Sequence, residues 1–283
     1  MKRYILITGA STGIGRHTAL LLARKGYHIL AGVRKNEHAH AILAAGNGHI
    51  YPILLDVTDP ESVENAVKTA TKIVGGDAFV AIINNAGIAV SGPVLYVPAE
   101  AWQEQLEVNV VGVVRITQAF FPMLRRLPNE GDPHPRRIVN IGSVSGLFAN
   151  PFLGPYAASK YALEAVSDSL RRELFMYDIQ VVVIEAGTIG TMLWDKAQTG
   201  PFFSGPEYEG LNAFRQRIIE HQKKTSMPVD WIGKLILKII MSRKVRVRYL
   251  LRRKKWKFYL MRYLPAAWVD RLMHKGLRAR LSK

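Results

Sequence analysis

The chain has 283 residues, 48% of them hydrophobic, which excludes a disordered chain and suits one large α/β domain or two small ones. It contains no cysteine; this excludes disulfides and thiolate metal sites and favours a reducing compartment, so we expect a cytoplasmic location and no metal. The net charge is +17, and residues 228–283, with 17 lysines and arginines against two acids, carry almost all of it.

Apolar runs alternate with helix-period segments from the first residues onward, so we expect no signal peptide. Seven short runs rich in Val and Ile are predicted as buried strands: 3–8, 28–33, 50–55, 79–83, 137–142, 180–185 and 245–250. The predicted helices between them are 13–25, 60–74, 100–127, 155–177 and 229–241. This alternation predicts an α/β fold of Rossmann type, a doubly wound parallel sheet of about seven strands with helices on both faces.

Two connections interrupt this pattern. Residues 128–135 are dense in Pro, Gly and Asn and predict an exposed loop. Residues 188–228 are long for a connection and mix aromatic residues with glycines, so we expect a lid. The predicted organisation is a single Rossmann-type domain, 1–250, which includes this lid, followed by a basic amphipathic extension, 251–283.

A glycine-rich turn follows the first predicted strand and reads Thr-Gly-Ala-Ser-Thr-Gly-Ile-Gly over residues 8–15. Glycines allow a sharp turn and a close approach by a pyrophosphate, and the following helix offers free N–H groups and a positive dipole end. A tight strand–helix connection could use the same residues, but the position after the first strand favours dinucleotide binding. The residues predicted to contact the nucleotide here are Gly9, Ser11, Thr12, Gly13, Ile14 and Gly15.

The end of the second strand bears on the choice of nucleotide. A site that prefers NAD usually has an acid there for the ribose 2′-hydroxyl, whereas residues 31–35 read Ala-Gly-Val-Arg-Lys. The Arg34 guanidinium could pair with a 2′-phosphate, so we predict NADP(H) as the preferred cofactor and NAD(H) as the alternative. A solvated basic loop is the plainer explanation of the same residues.

Tyr156 and Lys160 are four residues apart on a predicted helix and therefore lie on one face. A nearby ammonium group stabilises a phenolate and lowers the pKa of the tyrosine, which suits it to proton transfer. Ser143 follows a buried strand, where open α/β sheets bind their ligands, and its hydroxyl could hold a reacting oxygen. Each feature alone is also common in structural roles.

Together these motifs resemble the short-chain dehydrogenase/reductase family, in its single-domain branch that includes retinol, hydroxysteroid and hydroxybutyrate dehydrogenases. The resemblance covers residues 1 to about 195 and fits more loosely beyond. The matching motifs are Thr8-Gly9-x-x-x-Gly13-x-Gly15, Asp56-Val57, Asn84-Asn85-Ala86-Gly87, Asn109, Ser143 and Tyr156-x-x-x-Lys160. Where the family usually has Pro-Gly, this chain has Ala186-Gly187, and we expect a looser turn there with binding retained.

The resemblance implies an enzyme that transfers a hydride between a nicotinamide cofactor and an alcohol or carbonyl carbon. Tyr156 would be the acid/base, Ser143 would hold the substrate oxygen, Lys160 would bind the nicotinamide ribose, and Asn109 would anchor a water. The remaining cofactor contacts that it implies are made by Asp56, Val57, Asn85, Ala86, Gly87, Ile189 and Thr191. It also implies a homodimer or homotetramer.

Aromatic and aliphatic side chains crowd the predicted substrate region. They are Leu147, Phe148, Phe152, Leu153, Met192, Leu193, Trp194, Phe202, Phe203, Tyr208 and Phe214. We expect an apolar substrate such as a steroid, a retinoid or a lipid, although some of these side chains must simply pack the lid.

The basic extension interleaves Lys and Arg with Trp, Tyr and Leu. This pattern suits peripheral contact of residues 252–283 with an anionic membrane, and it equally suits packing on the body or on a second subunit. No nucleic-acid partner is expected, because no nucleic-acid-binding motif accompanies the charge. Two other functions remain as alternatives: a non-catalytic NADP-binding sensor and a peripheral membrane-associated scaffold.

Overall fold

The computed structural model describes residues 1–126, 135–191, 220, 224–253 and 255–281. Most of the loop predicted at 128–135 and most of the lid predicted at 188–228 lie outside the described residues. The strands are β1 Arg3–Ile7, β2 His28–Val33, β3 Ile50–Leu54, β4 Ala78–Asn84, β5 Arg136–Ile141, β6 Ile179–Ala186 and β7 Arg248–Leu251. The α-helices are α1 Gly13–Arg24, α2 Asn36–Ala45, α3 Pro60–Val74, α4 Ala99–Leu106, α5 Gly112–Leu124, α6 Gly154–Glu173, α7 Val229–Met241, α8 Lys255–Tyr263 and α9 Ala266–Leu281.

The strands form one sheet in the order β3-β2-β1-β4-β5-β6-β7, and every neighbouring pair is parallel. The strand order reverses between β1 and β4, where Ile7 lies opposite Ile83. In such a sheet the connections from the two strands leave in opposite directions and open a crevice at their carboxyl ends. This topology confirms the predicted doubly wound fold and locates its expected ligand site.

Both faces of the sheet are covered by helices, which explains why the strands are almost continuously apolar. Ile5 and Ile7 point to the layer of α1, α2 and α7, whereas Tyr4 and Leu6 point to the layer of α3, α5 and α6. The alternation of side chains along β1 thus supplies two hydrophobic cores from one strand.

A buried arginine joins β5 to the helix layer. The guanidinium of Arg137 donates hydrogen bonds to the backbone oxygens of Ile239 at 2.6 Å, Ile240 at 2.8 Å and Ser242. These carbonyls belong to the end of α7, where a helix has unpaired acceptors and a negative dipole end. Arg137 therefore caps α7 from within the sheet, and its charge is compensated although the side chain is almost fully buried.

The structure differs from the sequence-based boundaries in three places. Helix α2 was not predicted, because its ten residues carry only a weak apolar stripe with one buried side chain, Ile42. The single helix predicted over 100–127 is divided by a π-helical turn, Glu107–Val111. Strand β7 begins at Arg248 and not at residue 245, because its pairing with β6 starts only at Val183.

The C-terminal extension forms the two helices α8 and α9. Phe258 of α8 and Val269 of α9 are buried, whereas most other described side chains of the two helices are exposed. Among the described residues, no helix is both long and apolar enough to cross a bilayer.

Candidate active site

The glycine turn leads from β1 directly into the first turn of α1. Gly9 and Gly13 have φ angles of +64° and +56°, a region that residues with a side chain rarely adopt. A Cβ atom on Gly15 would lie 2.4 Å from the backbone oxygen of Gly9, so this position cannot carry a side chain without a shift. Thr12 is the N-cap residue of α1 and makes no side-chain capping bond, which leaves the N–H groups of the first turn available to a ligand.

Thr8 and Asn85 join the glycine turn to the end of β4. The Thr8 hydroxyl accepts hydrogen bonds from the backbone N–H groups of Asn85 and Ala86, both at 3.0 Å. In return, the Asn85 amide donates to the backbone oxygens of Thr8 at 2.9 Å and Gly9 at 3.1 Å. The two predicted cofactor segments are therefore held together at the crevice between β1 and β4.

The residues predicted to surround the adenosine lie at the ends of neighbouring strands. Arg34 is exposed immediately after β2. Asp56 follows β3 and accepts hydrogen bonds from the N–H and hydroxyl of Thr58 at 3.0 and 2.7 Å. Val57 is buried against Gly112, where a Cβ atom would lie 2.8 Å from its side chain. The two residues directly after β2 are Arg34 and Lys35 and not acids, so Arg34 is the charged group nearest in sequence to the end of that strand.

Ser143 and Tyr156 are both buried, at 6% exposure each. Ser143 lies just after β5, and its hydroxyl accepts a hydrogen bond from the N–H of Ser145 at 3.1 Å. Burial raises the pKa of Tyr156, and a hydrogen bond with Ser143 partly opposes the rise. The phenol is therefore protonated at neutral pH.

Lys160 lies one turn after Tyr156 on α6. Its ammonium donates a hydrogen bond to the backbone oxygen of Ile141 at 2.8 Å and lies 5.7 Å from the centre of the Tyr156 ring. Burial lowers the pKa of Lys160 to about 8, and the carboxylate of Glu164 opposes this decrease. The predicted serine, tyrosine and lysine are thus brought together between β5 and α6.

Asn109 sits in the π-helical turn between α4 and α5, a rare distortion that often marks functional sites. Its amide exchanges two hydrogen bonds with the backbone of Ile88, at 3.0 and 3.1 Å. It also donates to the Ser159 hydroxyl at 3.1 Å, and Ser159 precedes Lys160 directly. Asn109 therefore connects the segment after β4 to the turn of α6 that contains Ser159 and Lys160.

Ile189 and Thr191 follow β6. Ile189 is buried and forms a bridge with Met227, and a Cβ atom on Gly13 would lie 3.3 Å from the Thr191 side chain. The structure therefore brings the segment after β6 against the glycine turn. Gly87, the last predicted cofactor residue, is exposed after β4 and faces the Asn109 side chain.

One wall of the site was not predicted. Residues 88–98 run beside the loop between Ser143 and α6, and the N–H of Gly92 donates to the backbone oxygen of Phe152 at 2.8 Å. Phe152 has a φ of +65°, a strained conformation for a residue with an aromatic side chain and one that clusters at functional sites. Val94 and Leu95 of this wall are 58% and 87% exposed. Their apolar runs carried no motif, so the sequence had no signal for this contact.

A charged cluster behind Lys160 was also missed. Arg248 of β7 donates to Glu164 at 3.0 Å and to Asp168 at 2.8 Å, and it lies 3.6 Å from Glu185 of β6. Burial raises the pKa of both glutamates, and Arg248 opposes the rise in each. This one guanidinium therefore ties the edge strand to α6 on the turn that follows Lys160.

Replacing Arg248 with methionine is expected to lower the free energy of unfolding by about 2 kcal/mol at pH 7, less than for a fully buried pair because the arginine is one-third exposed. Without it, the pKa values of Glu164 and Glu185 would rise further. The deficit should therefore shrink as the pH falls and the carboxyls become protonated. Urea unfolding at several pH values measures this.

The matched control for that measurement is Arg172→Met, because Arg172 is 68% exposed and reaches the same Asp168 only at 4.0 Å. It should change stability by less than about 0.5 kcal/mol. An equal loss in both variants would show that Arg248 is one surface charge among others.

A glycine turn at a helix N-terminus in a doubly wound sheet defines a dinucleotide-binding protein. Comparison with known proteins gives the family. The model of the short chain dehydrogenase family matches residues 3–201. The chain is 33% identical to the NADPH-dependent 3-dehydrocapnine reductase of Ornithobacterium rhinotracheale, over 98% of each chain. It is 30% identical to mouse retinol dehydrogenase 16, over 96% of this chain and 88% of that one.

A solved structure agrees in fold. A short-chain dehydrogenase from Streptomyces avermitilis superposes with a TM-score of 0.74 at 24% identity, covering 100% of this chain and 95% of the other. The protein belongs to the short chain dehydrogenase family. It is therefore an NAD(P)-dependent oxidoreductase that acts on alcohol or carbonyl groups, as the sequence predicted.

Proposed function

We propose that the protein prefers NADP(H) and interconverts a hydrophobic carbonyl compound and its alcohol, with Tyr156 as the acid/base. The observation that carries the proposal is the burial of Ser143, Tyr156 and Lys160 together, just after β5 and on the first turns of α6. The reductase relative is NADPH-dependent, and the mouse relative is a retinol dehydrogenase.

The residues at the crevice fit a dinucleotide. The first turn of α1 has no acid and no capping side chain, so its N–H groups can bind a pyrophosphate. Arg34 would pair with the 2′-phosphate, and Asp56, Val57, Asn85, Ala86 and Gly87 would surround the adenosine. Ile189 and Thr191 would contact the carboxamide. When bound, the nicotinamide supplies or accepts the hydride.

Side chains of the protein would transfer the proton that accompanies the hydride. Ser143 would hold the substrate oxygen beside Tyr156, which would donate its proton to a carbonyl oxygen in reduction and take one from an alcohol in oxidation. The Lys160 ammonium would stabilise the phenolate that forms, because a positive charge lowers the pKa of the phenol. Asn109 would anchor a water through which Lys160 exchanges protons with solvent.

The described part of the substrate region is apolar. Leu147, Phe148, Phe152 and Leu153 are partly buried between Ser143 and α6, and Val94 and Leu95 are exposed beside them. These side chains suit an apolar substrate such as a steroid, a retinoid or a lipid. Residues 252–283 would in addition contact an anionic membrane surface.

Replacing Arg34 with alanine is expected to weaken NADPH binding by about tenfold or more, because a charge-assisted pair with a phosphate is lost. The affinity for NADH should change little. Titration of each reduced cofactor by fluorescence measures both affinities. Arg24→Ala is the matched control, because Arg24 is an exposed arginine at the opposite end of α1. Equal affinity for both cofactors in the wild type would overturn the NADP preference but leave the enzyme class intact.

A further inference from the structure

The last turn of α4 carries a fully buried glutamine. Gln105 has no exposed surface. Its side-chain oxygen accepts a hydrogen bond from the backbone N–H of Val90 at 2.6 Å, and its side-chain nitrogen donates to the backbone oxygen of Ile88 at 2.9 Å. A buried backbone group left unpaired is costly, so the glutamine stabilises the irregular segment that follows β4.

The same side chain reaches α6. The Gln105 nitrogen lies 3.5 Å from the Ser159 hydroxyl, which also accepts the bond from Asn109 one turn further along the chain. The Ser159 hydroxyl in turn donates to the backbone oxygen of Tyr156 at 2.8 Å. The hydrogen bonds of Gln105, which we term the glutamine clamp, therefore join the base of the wall of residues 88–98 to the turn of α6 that begins at Tyr156.

The wall is tied to α4 at both of its ends. Its C-terminal end continues directly into α4, and its base is held by Gln105 on the last turn of the same helix. Between these ends Val94 and Leu95 are 58% and 87% exposed. The wall also has a small apolar core of its own, which consists of Val90, Val97 and Ala101.

The wall contacts the start of α6 directly. A Cβ atom on Gly154, the first residue of α6, would lie 2.7 Å from a methyl carbon of Val94 and 3.3 Å from the Trp102 ring of α4. This contact has no room for a side chain, so a shift of the wall would displace the start of α6. Tyr156 lies only two residues further along that helix.

We propose that Gln105 is a positioning residue that sets the separation between the wall of residues 88–98 and the α6 turn of Tyr156, and that this separation favours long apolar substrates over short ones. Val94 and Leu95 would add apolar contact only to a substrate whose chain extends from Tyr156 to the wall. A wall that is already fixed offers this contact without an ordering cost on binding. The clamp stands on its hydrogen bonds, whereas the substrate selection rests on the proposed function.

Hydrogen exchange measured by NMR tests the clamp without any turnover. In Gln105→Leu the Val90 N–H loses its acceptor, so its exchange should become at least about tenfold faster. The Gly92 N–H bonds Phe152 and not the glutamine, and we expect its exchange to accelerate to a similar extent because the wall is released. Unchanged exchange at Gly92 would overturn the clamp. Gln103→Leu is the matched control, because Gln103 is exposed on the same helix, and it should leave both rates within about twofold.

Reduction of decanal and of butanal with NADPH tests the selection. In the wild type, kcat/KM should be at least about tenfold higher for decanal, because more methylene groups are buried. Gln105→Leu should lower this ratio by about tenfold through decanal alone, while kcat/KM for butanal and the affinity for NADPH stay within about threefold. Equal losses with both aldehydes would indicate a general defect of the site and would overturn the selection. Gln103→Leu should keep the wild-type ratio.

A second variant covers the case in which Gln105→Leu does not fold. Gln105→Glu keeps an acceptor for Val90, but its ionised carboxylate cannot donate to Ile88 or Ser159, so the aldehyde ratio should fall by about threefold. A wild-type ratio in a variant whose Gly92 exchange is faster would overturn the selection and leave the proposed function standing. If the wild type reduces neither aldehyde, the proposed function fails and the selection fails with it, while faster exchange still supports the clamp.

Discussion

Tyr156→Phe is expected to lower kcat by about three orders of magnitude in either direction, because it removes the proposed acid/base while keeping the buried ring. The hydroxyl sits at 6% exposure beside Ser143, so little water reaches that position to replace it. Cofactor affinity should change by less than about threefold, since one hydrogen bond at most is lost. Steady-state kinetics with NADPH and an apolar aldehyde, together with cofactor titration, separate the two effects.

The neighbouring Tyr161 provides the matched control. It lies on the same helix and is 45% exposed, so Tyr161→Phe should leave kcat within about twofold. If Tyr156→Phe kept more than a tenth of the activity while both variants fold, another group would carry the proton. The proposed roles of Ser143, Lys160 and Asn109 would then need revision as well.

Lys160→Met is expected to abolish turnover and yet to stabilise the apoprotein by about 2 kcal/mol at pH 7. Burial lowers the pKa of Lys160 to about 8, and relative to its value of 10.5 in the unfolded chain this corresponds to about 3 kcal/mol of instability. The variant also loses the hydrogen bond to Ile141, which lowers its stability by about 1 kcal/mol and leaves a net stabilisation of about 2 kcal/mol. A functional group held at a cost in stability is common in active sites.

The stability difference between Lys160→Met and the wild type should depend on pH. Between about pH 8 and 10.5 the unfolded chain binds more protons at this lysine than the folded one, so wild-type stability rises relative to the variant. The advantage of Lys160→Met should therefore shrink across that range, as measured by urea unfolding at pH 7 and 10. Lys68→Met is the matched control, because Lys68 is 62% exposed. It should change the free energy of unfolding by less than about 0.5 kcal/mol at either pH. A destabilised Lys160→Met at pH 7 would mean that the ammonium is well solvated in the folded state.

Several features of the site could be predicted because they depend on residues close together in sequence. The spacing of Tyr156 and Lys160 places them on one side of any helix, and the structure has that helix. The glycines of residues 9–15 are required by a turn that is completed within those residues, and two of them have positive φ angles. The roles assigned to all these residues stay predictions, because geometry shows proximity and not turnover.

Other contacts could not be predicted because they join distant segments whose meeting depends on packing. Asn109 contacts Ser159, which lies 50 residues away in sequence. The contact depends on a π-helical turn that the spacing of apolar residues did not predict. Arg248 meets Glu164 across 84 residues, because β7 pairs with β6 three residues later than its apolar run suggests. The strained Phe152 and its contact with Gly92 likewise depend on two loops lying side by side.

The sequence alone determined the parallel α/β architecture, the glycine turn, the tyrosine–lysine pair and the concentration of charge in the last fifth of the chain. Only the tertiary structure decided which surfaces those elements present. The same apolar spacing in α8 would fit a helix packed on the body, and periodicity cannot tell which way a stripe faces. In the folded protein Phe258 is buried, whereas Trp256 and Tyr263 are exposed. The helix follows β7 at the carboxyl edge of the sheet, and its Phe258 side packs against the body of the protein.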